Sequence, residues 1–137
     1  MLKKNIIILL ILILNFLLSG SLVAQKIEIL YKVENYPITN RDINKEINYL
    51  IMLNNQLQSI NEKDLIQYAT RSIIKEKVKK NEILKNYKFG GNEAVVNGQI
   101  DILRSNLNLN EVEFENLLRS LGISFDYIVE KIEIELM

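Results

Sequence analysis

The stretch KVENYPITNRDI, residues 32–43, decides how the chain begins to fold. Just before and into it, Ile27, Ile29, Tyr31 and Val33 alternate with Lys26, Glu28, Lys32 and Glu34, the period of two expected of a strand. Glu34, Asn35, Tyr36 and Pro37 read as a turn, and Ile38 begins a short return strand, so the chain opens on a small hairpin. Two strands alone are marginal, so helices must support them. Thr39 stands three residues before Asp42, the spacing at which a hydroxyl and an N3 carboxylate satisfy free backbone N–H groups at a helix start.

Beyond this cap the apolar period changes from two to that of a helix. Ile43, Ile47, Leu50 and Ile51 form one face of a first helix that continues to Leu53, and Asn54 to Ser59 read as a loop. Asn61 with Asp64, or Ser59 with Glu62, caps a longer second helix carrying Leu65, Ala69, Ile73, Ile74 and Val78 and running to about Tyr87. Gly90 and Gly91 stop it, and Asn92 is the expected cap of a third helix with Val95, Val96, Ile100 and Leu103 in period. After a break from Asn106 to Asn110, Asn110 and Glu113 start a short helix bearing Phe114, Leu117, Leu118 and Leu121, with Gly122 at its C′ position. Ser124 caps a last helix with Ile128, Ile132 and Leu136. The expected fold is therefore mainly α, a small N-terminal β-hairpin followed by about five amphipathic helices in one domain. No Gly- or Pro-rich linker and no internal repeat divides it.

The first 24 residues belong to another class of sequence. Lys3 and Lys4 precede Ile6 to Leu18, an apolar run interrupted only by Asn15, and Ser19, Gly20, Ser21 and Ala24 follow. This is the pattern of a secretory signal peptide over residues 1–24, cut between Ala24 and Gln25, with a cut after Ser21 as the alternative. The competing reading is an uncleaved anchor, since ~20 apolar residues span a bilayer. A cleaved leader leaves residues 25–137 as the working domain and implies export, for which a bacterial periplasm is a compatible destination. The absence of Cys fits that compartment, where disulfides are permitted but not required.

Composition narrows the chemistry. The 137 residues include no His, Cys or Trp, which removes imidazole bases, thiol nucleophiles, disulfides and the usual zinc ligands. The 17 basic and 17 acidic side chains balance, so there is no basic excess to bind nucleic acid. Without Lys3 and Lys4 the remainder is slightly acidic, 15 basic against 17 acidic. The signs are unevenly placed: Lys75 to Lys88 is rich in Lys, while Glu111 to Glu135 is rich in acids. The expectation is two solvated helix faces of opposite sign. Glu111, Glu113 and Glu115 are two apart on a helix and point to different faces, as do Glu133 and Glu135, so neither set converges on a metal. Asp101 and Arg104 form a helix-surface pair at most, and Lys77, Lys79 and Lys80 read as a solvated face. No phosphate loop, dinucleotide fingerprint, calcium loop or nucleophile elbow is present. Catalytic, cofactor-binding and metal-binding residues are therefore all expected to be absent.

Residues 26–134 resemble the N-terminal domain of the SurA-type periplasmic chaperones and peptidyl-prolyl isomerases. The resemblance lies in Lys32-Val33-Glu34-Asn35-Tyr36-Pro37-Ile38-Thr39 followed by Asp42, in Ser72-Ile73-Ile74-Lys75-Glu76-Lys77, and in Asn108-Leu109-Asn110-Glu111-Val112-Glu113-Phe114 with Leu118 and Leu121-Gly122. It implies a holdase that binds unfolded outer-membrane proteins, or extended polypeptide segments, through an apolar crevice and assists their folding and assembly. The family normally continues into parvulin-type isomerase domains with histidine-containing sites, and into a C-terminal segment that closes on the helical domain. Those features have no counterpart here, so isomerase activity is not carried over, and the domain is expected to leave apolar surface uncovered. The alternative implied by the same resemblance is the non-catalytic N-terminal part of a truncated isomerase. Membrane contact is expected only through an uncleaved leader. Apolar positions that line a crevice and those that fill a core look alike in sequence, so no client-binding residue is assigned.

Overall fold

A computed structural model describes residues 26–137. The proposed cut at Ala24 and Gln25 lies outside the described residues. Strands β1 (Ile29–Val33) and β2 (Tyr36–Thr39) form an antiparallel pair, followed by helices α1 (Asn40–Leu53), α2 (Glu62–Asn86), α3 (Glu93–Asn106), α4 (Glu111–Ser120) and α5 (Phe125–Leu136). This is the mainly helical architecture, hairpin first, that the periodicity predicts. No helix among the described residues is long and apolar enough to cross a membrane.

The hairpin turn is tighter than expected. Val33 pairs with Tyr36, leaving only Glu34 and Asn35 in the turn, and Glu34 takes φ 51°. Pro37 is accommodated because a two-stranded sheet has only edge strands, where a missing N–H need cost no ladder bond. The register slips between Ile29 and Tyr31, a bulge that breaks the simple alternation of β1. Before β1, Asn40 holds the chain in line: its side chain accepts from Glu28 N at 3.1 Å and donates to Lys26 O at 2.9 Å.

Local chemistry accounts for most helix ends. Thr39 accepts from Asp42 N while Asp42 accepts from Thr39 N at 2.9 Å, a complete capping box. Asn110 and Glu113 make the same reciprocal pair at α4, and Ser124 caps α5. Of the two possible caps for α2, Asn61 is the one used. Asn92 makes no side-chain cap bond, because its backbone (φ −128°, ψ 39°) is not in the extended conformation that turns a cap side chain back onto the first turn. Residues Asn55–Ser59, expected as loop, wind into a 3-10 turn capped by Asn54. Gly90 and Gly91 are not the C-cap of α2, which ends three residues earlier with an extended Tyr87; Gly90, at φ +94°, makes the turn that follows. At the end of α4, Gly122 (φ +67°) lets its own N–H reach Arg119 O and the N–H of Ile123 reach Leu118 O. Asn108, at φ 56°, closes α3 with the same bond pattern, a stop that the polar run from Asn106 to Asn110 only hinted at.

The interior has two apolar centres, and α1 runs through both. Ile38, Ile43, Ala69 and Ile73 join the hairpin, the start of α1 and the middle of α2. Tyr49, Val96, Ile100, Phe114, Leu118, Ile123, Ile128 and Ile132 join the end of α1 to α3, α4 and α5. Asn48 adds a polar tie by donating to Leu121 O at 2.8 Å. Four positions expected on apolar faces, Leu53, Val78, Val95 and Leu136, are 46, 49, 51 and 42% exposed.

Candidate functional site

Between the two apolar centres lies a layer of buried charge. On α1, Glu46 sits between Ile43 and Tyr49 and is 1% exposed; Glu76 on α2 is 8% and Lys131 on α5 is 6% exposed. The Lys131 ammonium lies between the two carboxylates and pairs with both. Burying a charge is costly unless it is paired and hydrogen-bonded. The remaining capacity of Glu46 is met by Ser72 Oγ, donating at 2.7 Å to Oε1, and by Tyr127 O–H, donating at 2.5 Å to Oε2. Glu76 also meets Lys77 at 3.5 Å. Two tyrosine rings flank the cation, with Lys131 Nζ 4.9 Å from the Tyr49 centroid and 5.2 Å from that of Tyr127. The rings meet edge to face at 6.0 Å.

This environment acts on the phenols. Burial, then the negative charges of Glu135, Glu46 and Glu76, raise the Tyr49 phenol well above its ordinary value of 10.0. Burial, the Glu46 charge and the hydrogen bond to it raise Tyr127 further. Both phenols are thus held protonated, and Tyr127 is fixed as a donor.

Above the layer, α1, α2 and α5 leave an open pocket of about 270 Å³. Tyr49, Leu50, Leu53 and Ile134 give it apolar walls, and Glu46, Ser72, Glu76 and Lys131 lie at its base. Lys75, Lys79 and Glu135 stand around it. Small-molecule pockets usually run from about 300 to 1,000 Å³, so a space of this size suits one large side chain of an extended polypeptide better than a whole cofactor. The lining holds no His or Cys, and no group of three metal-type side chains occurs among the described residues.

The fold separates only some of the residues singled out in the sequence. Glu113 is consumed by the α4 capping box, whereas Glu111 and Glu115, four apart and so one turn from each other, line a common surface depression with Asp101 and Arg104, and Glu111 reaches Arg104 at 3.7 Å. Glu133 accepts from Gly90 N at 2.7 Å while Glu135 faces the pocket, so these two also diverge. Asp101 and Arg104 form the expected pair at 2.7 Å. The Lys77, Lys79 and Lys80 face is a correction. Lys77 and Lys80 are only 19 and 18% exposed, and both bind Glu130 of α5, at 3.4 and 2.7 Å. The basic segment of α2 and the acidic segment of α5 are thus packed on each other instead of facing solvent separately. Burial raises the Glu130 carboxyl, but the hydrogen bonds and charges of Lys80 and Lys77 outweigh it and hold the group below 4.5.

Neither the family models, nor the curated proteins, nor the solved structures contain a match to this chain. No motif marks Glu46, Glu76 and Lys131, yet the sequence carries a signal: each occupies an apolar position of its helix. Glu46 is three after Ile43 and four before Leu50, Glu76 is three after Ile73, and Lys131 is three after Ile128 and three before Ile134. A charge inside an apolar stripe, on three helices at once and with compensating sign, marks a buried ionic contact.

Proposed function

We propose that this chain is an exported holdase of the SurA type, binding unfolded outer-membrane proteins or other extended segments without chemistry. The observation that carries the reading is the apolar notch of Tyr49, Leu50, Leu53 and Ile134, open to solvent and edged by Lys75, Lys79 and Glu135. An apolar client side chain enters the notch, while the flanking ammonium groups meet client carbonyls or carboxylates. The saturated ion layer beneath supports this by keeping the notch floor rigid. Exposed apolar side chains elsewhere, among them Ile60 and Tyr68, offer further contact for a long segment. Contact of this kind gives capture with low sequence selectivity and needs no ATP. The order of hairpin, capped helix and short Gly-terminated helix supports the family reading at the level of architecture. The reading assigns no isomerase activity.

The test is suppression of aggregation when an unfolded outer-membrane barrel is diluted from urea. Near-stoichiometric chain should delay light scattering, and Leu53→Glu should weaken the delay several-fold with an unchanged circular dichroism spectrum, since Leu53 is 46% exposed. No delay by the unaltered chain would sink the holdase reading. A delay that Leu53→Glu leaves intact would move client contact away from the notch, and measurable prolyl isomerisation would contradict the non-enzymatic assignment.

A further inference from the structure

The acidic residues of the C-terminal half are only partly used inside the fold. Glu130 is held by Lys77 and Lys80, and Glu113 by the start of its own helix. Others stand where α3 and α4 approach the first turn of α5. Phe125, the first residue of α5, is 44% exposed there and borders three surface depressions of about 390, 270 and 580 Å³. The first and second also share Glu115, and the first and third share Asn97, so the three are parts of one groove around the Phe125 ring. Val96, Ile100, Phe114 and Leu118, all buried, give it an apolar floor.

The sides of the groove are acidic. Glu93, Asp101, Glu111, Glu115, Asp126 and Glu133 line it against two cations, Arg104 and Arg119, an excess of four negative charges. Arg104 is already committed to Asp101 at 2.7 Å and to Glu111 at 3.7 Å. Glu93, Glu115 and Asp126 are exposed and enter no ion pair among the described residues. The notch differs: Lys75, Lys79 and Lys131 there balance Glu46, Glu76 and Glu135, and the two sites share no lining residue. Like charges beside an apolar floor reinforce one another's field, because low-dielectric walls focus it into the groove. The carboxylates do not converge on a metal ion, since no group of three metal-type side chains occurs among the described residues. Their complement is a cation carried on an apolar stem.

We propose that this groove binds an extended basic segment of another polypeptide, with an aromatic side chain against Phe125 and a Lys or Arg two residues to either side. In an extended chain, side chains two apart share one face and stand about 6.5–7 Å from each other, so alternate residues enter adjoining depressions. Lys and Arg lay their apolar stems along the floor and carry their charge to the rim. An ammonium or guanidinium group also gains from the face of an aromatic ring such as that of Phe125. Apolar surface rimmed by charge marks an interaction site, and complementary charge favours one class of partner over another. Acidic segments are repelled by the same carboxylates. The site adds to the holdase reading without resting on it, because a basic aromatic segment need not come from an unfolded barrel.

Fluorescence anisotropy with the chain as the cell produces it and a labelled peptide, Gly-Lys-Ala-Phe-Ala-Lys-Gly, tests this. The peptide should bind at least about tenfold more tightly than one with both Lys changed to Glu, and several-fold more tightly than one with Phe changed to Gly. The advantage over the Glu peptide should shrink as NaCl rises from about 50 to about 300 mM, since exposed charges are screened. Glu93→Gln, Glu115→Gln and Asp126→Asn together should weaken binding about tenfold or more, and Phe125→Ala several-fold, whereas Leu53→Glu in the notch should leave it unchanged. Circular dichroism checks the fold of each variant, and the comparison of peptides needs no variant at all. Equal binding of the Lys and Glu peptides, no binding at about 1 mM peptide, or binding that survives the triple variant would overturn the proposal. Equal binding without Phe would leave charge attraction alone, and loss of binding in Leu53→Glu would put the peptide in the notch; either overturns the groove. A dimer in sedimentation equilibrium that the triple variant breaks would give the groove to a second copy and overturn it as well. Peptide binding without aggregation suppression, or the reverse, separates the fate of this site from that of the holdase reading.

Discussion

Replacing Lys131 by Met keeps the length of the side chain and its packing between Tyr49 and Tyr127 but removes the cation that two buried carboxylates share. Glu46 retains the hydrogen bonds from Ser72 and Tyr127, and Glu76 retains Lys77 at 3.5 Å, so neither acid is stripped bare. What is lost is the attraction that offsets their mutual repulsion, and the repulsion then left uncompensated is about 3 kcal/mol for like unit charges some 5 Å apart at an effective dielectric near 20. Loss of the cation–π contacts adds about 0.5–2 kcal/mol. The expected loss is thus about 3–5 kcal/mol, the usual range when one partner of a buried pair is removed. For a domain of this size that is a large part of a total stability of roughly 5–15 kcal/mol. Urea unfolding followed by circular dichroism measures it, with the midpoint falling at an unchanged slope. Adding Glu46→Gln and Glu76→Gln to the Met variant should return at least about half of the loss, because the repelling charges are gone while the hydrogen-bond acceptors remain. A Met variant within about 1 kcal/mol of the parent, or a triple variant as unstable as the single one, would refute the ion-layer account.

Other consequences concern single groups. Gly122→Ala should cost about 1–2 kcal/mol in thermal or urea unfolding, since φ is +67° and nothing lies within 4 Å of the new Cβ, so the loss is backbone conformation alone. Gly98→Ala, inside α3 and equally free of neighbours, should instead stabilise by about 0.5–1 kcal/mol. On alkaline titration followed by tyrosinate absorbance, the phenols of Tyr49 and Tyr127 should stay protonated well past 10.0 and ionise only as the chain unfolds. Both folded values lie above the unfolded one, so their contribution is complete below pH 10 and declines as pH rises beyond it. The carboxyl of Glu130 behaves oppositely: its folded value lies below 4.5, so its contribution is present above that pH and is lost as pH falls through the folded value. Glu130→Gln should accordingly be less stable than the parent near neutrality, with the difference shrinking on acidification in pH-dependent urea unfolding.

Several features were decided within four residues of where they occur, and these were open to reading in the sequence. Thr39 with Asp42 and Asn110 with Glu113 close capping boxes, Ser124 starts α5, and Gly122 ends α4, because each bond joins atoms brought near by one turn of backbone. The change of apolar period from two to 3.6 likewise places a hairpin before a set of helices, since side-chain direction follows backbone geometry. What the chain's own pattern leaves open is which stripe is covered, and by what. Val78, Val95 and Leu136 continue apolar stripes yet meet solvent, while Glu46, Glu76 and Lys131 interrupt such stripes and are buried. Their positions 46, 76 and 131 converge only when α1, α2 and α5 pack, and only then does charge opposite charge become cheaper than charge in water. The notch above them arises in the same way, from where neighbouring elements stop. Local bonds and period are properties of a segment, whereas burial, pairing and cavity shape belong to the contacts between segments far apart in the chain.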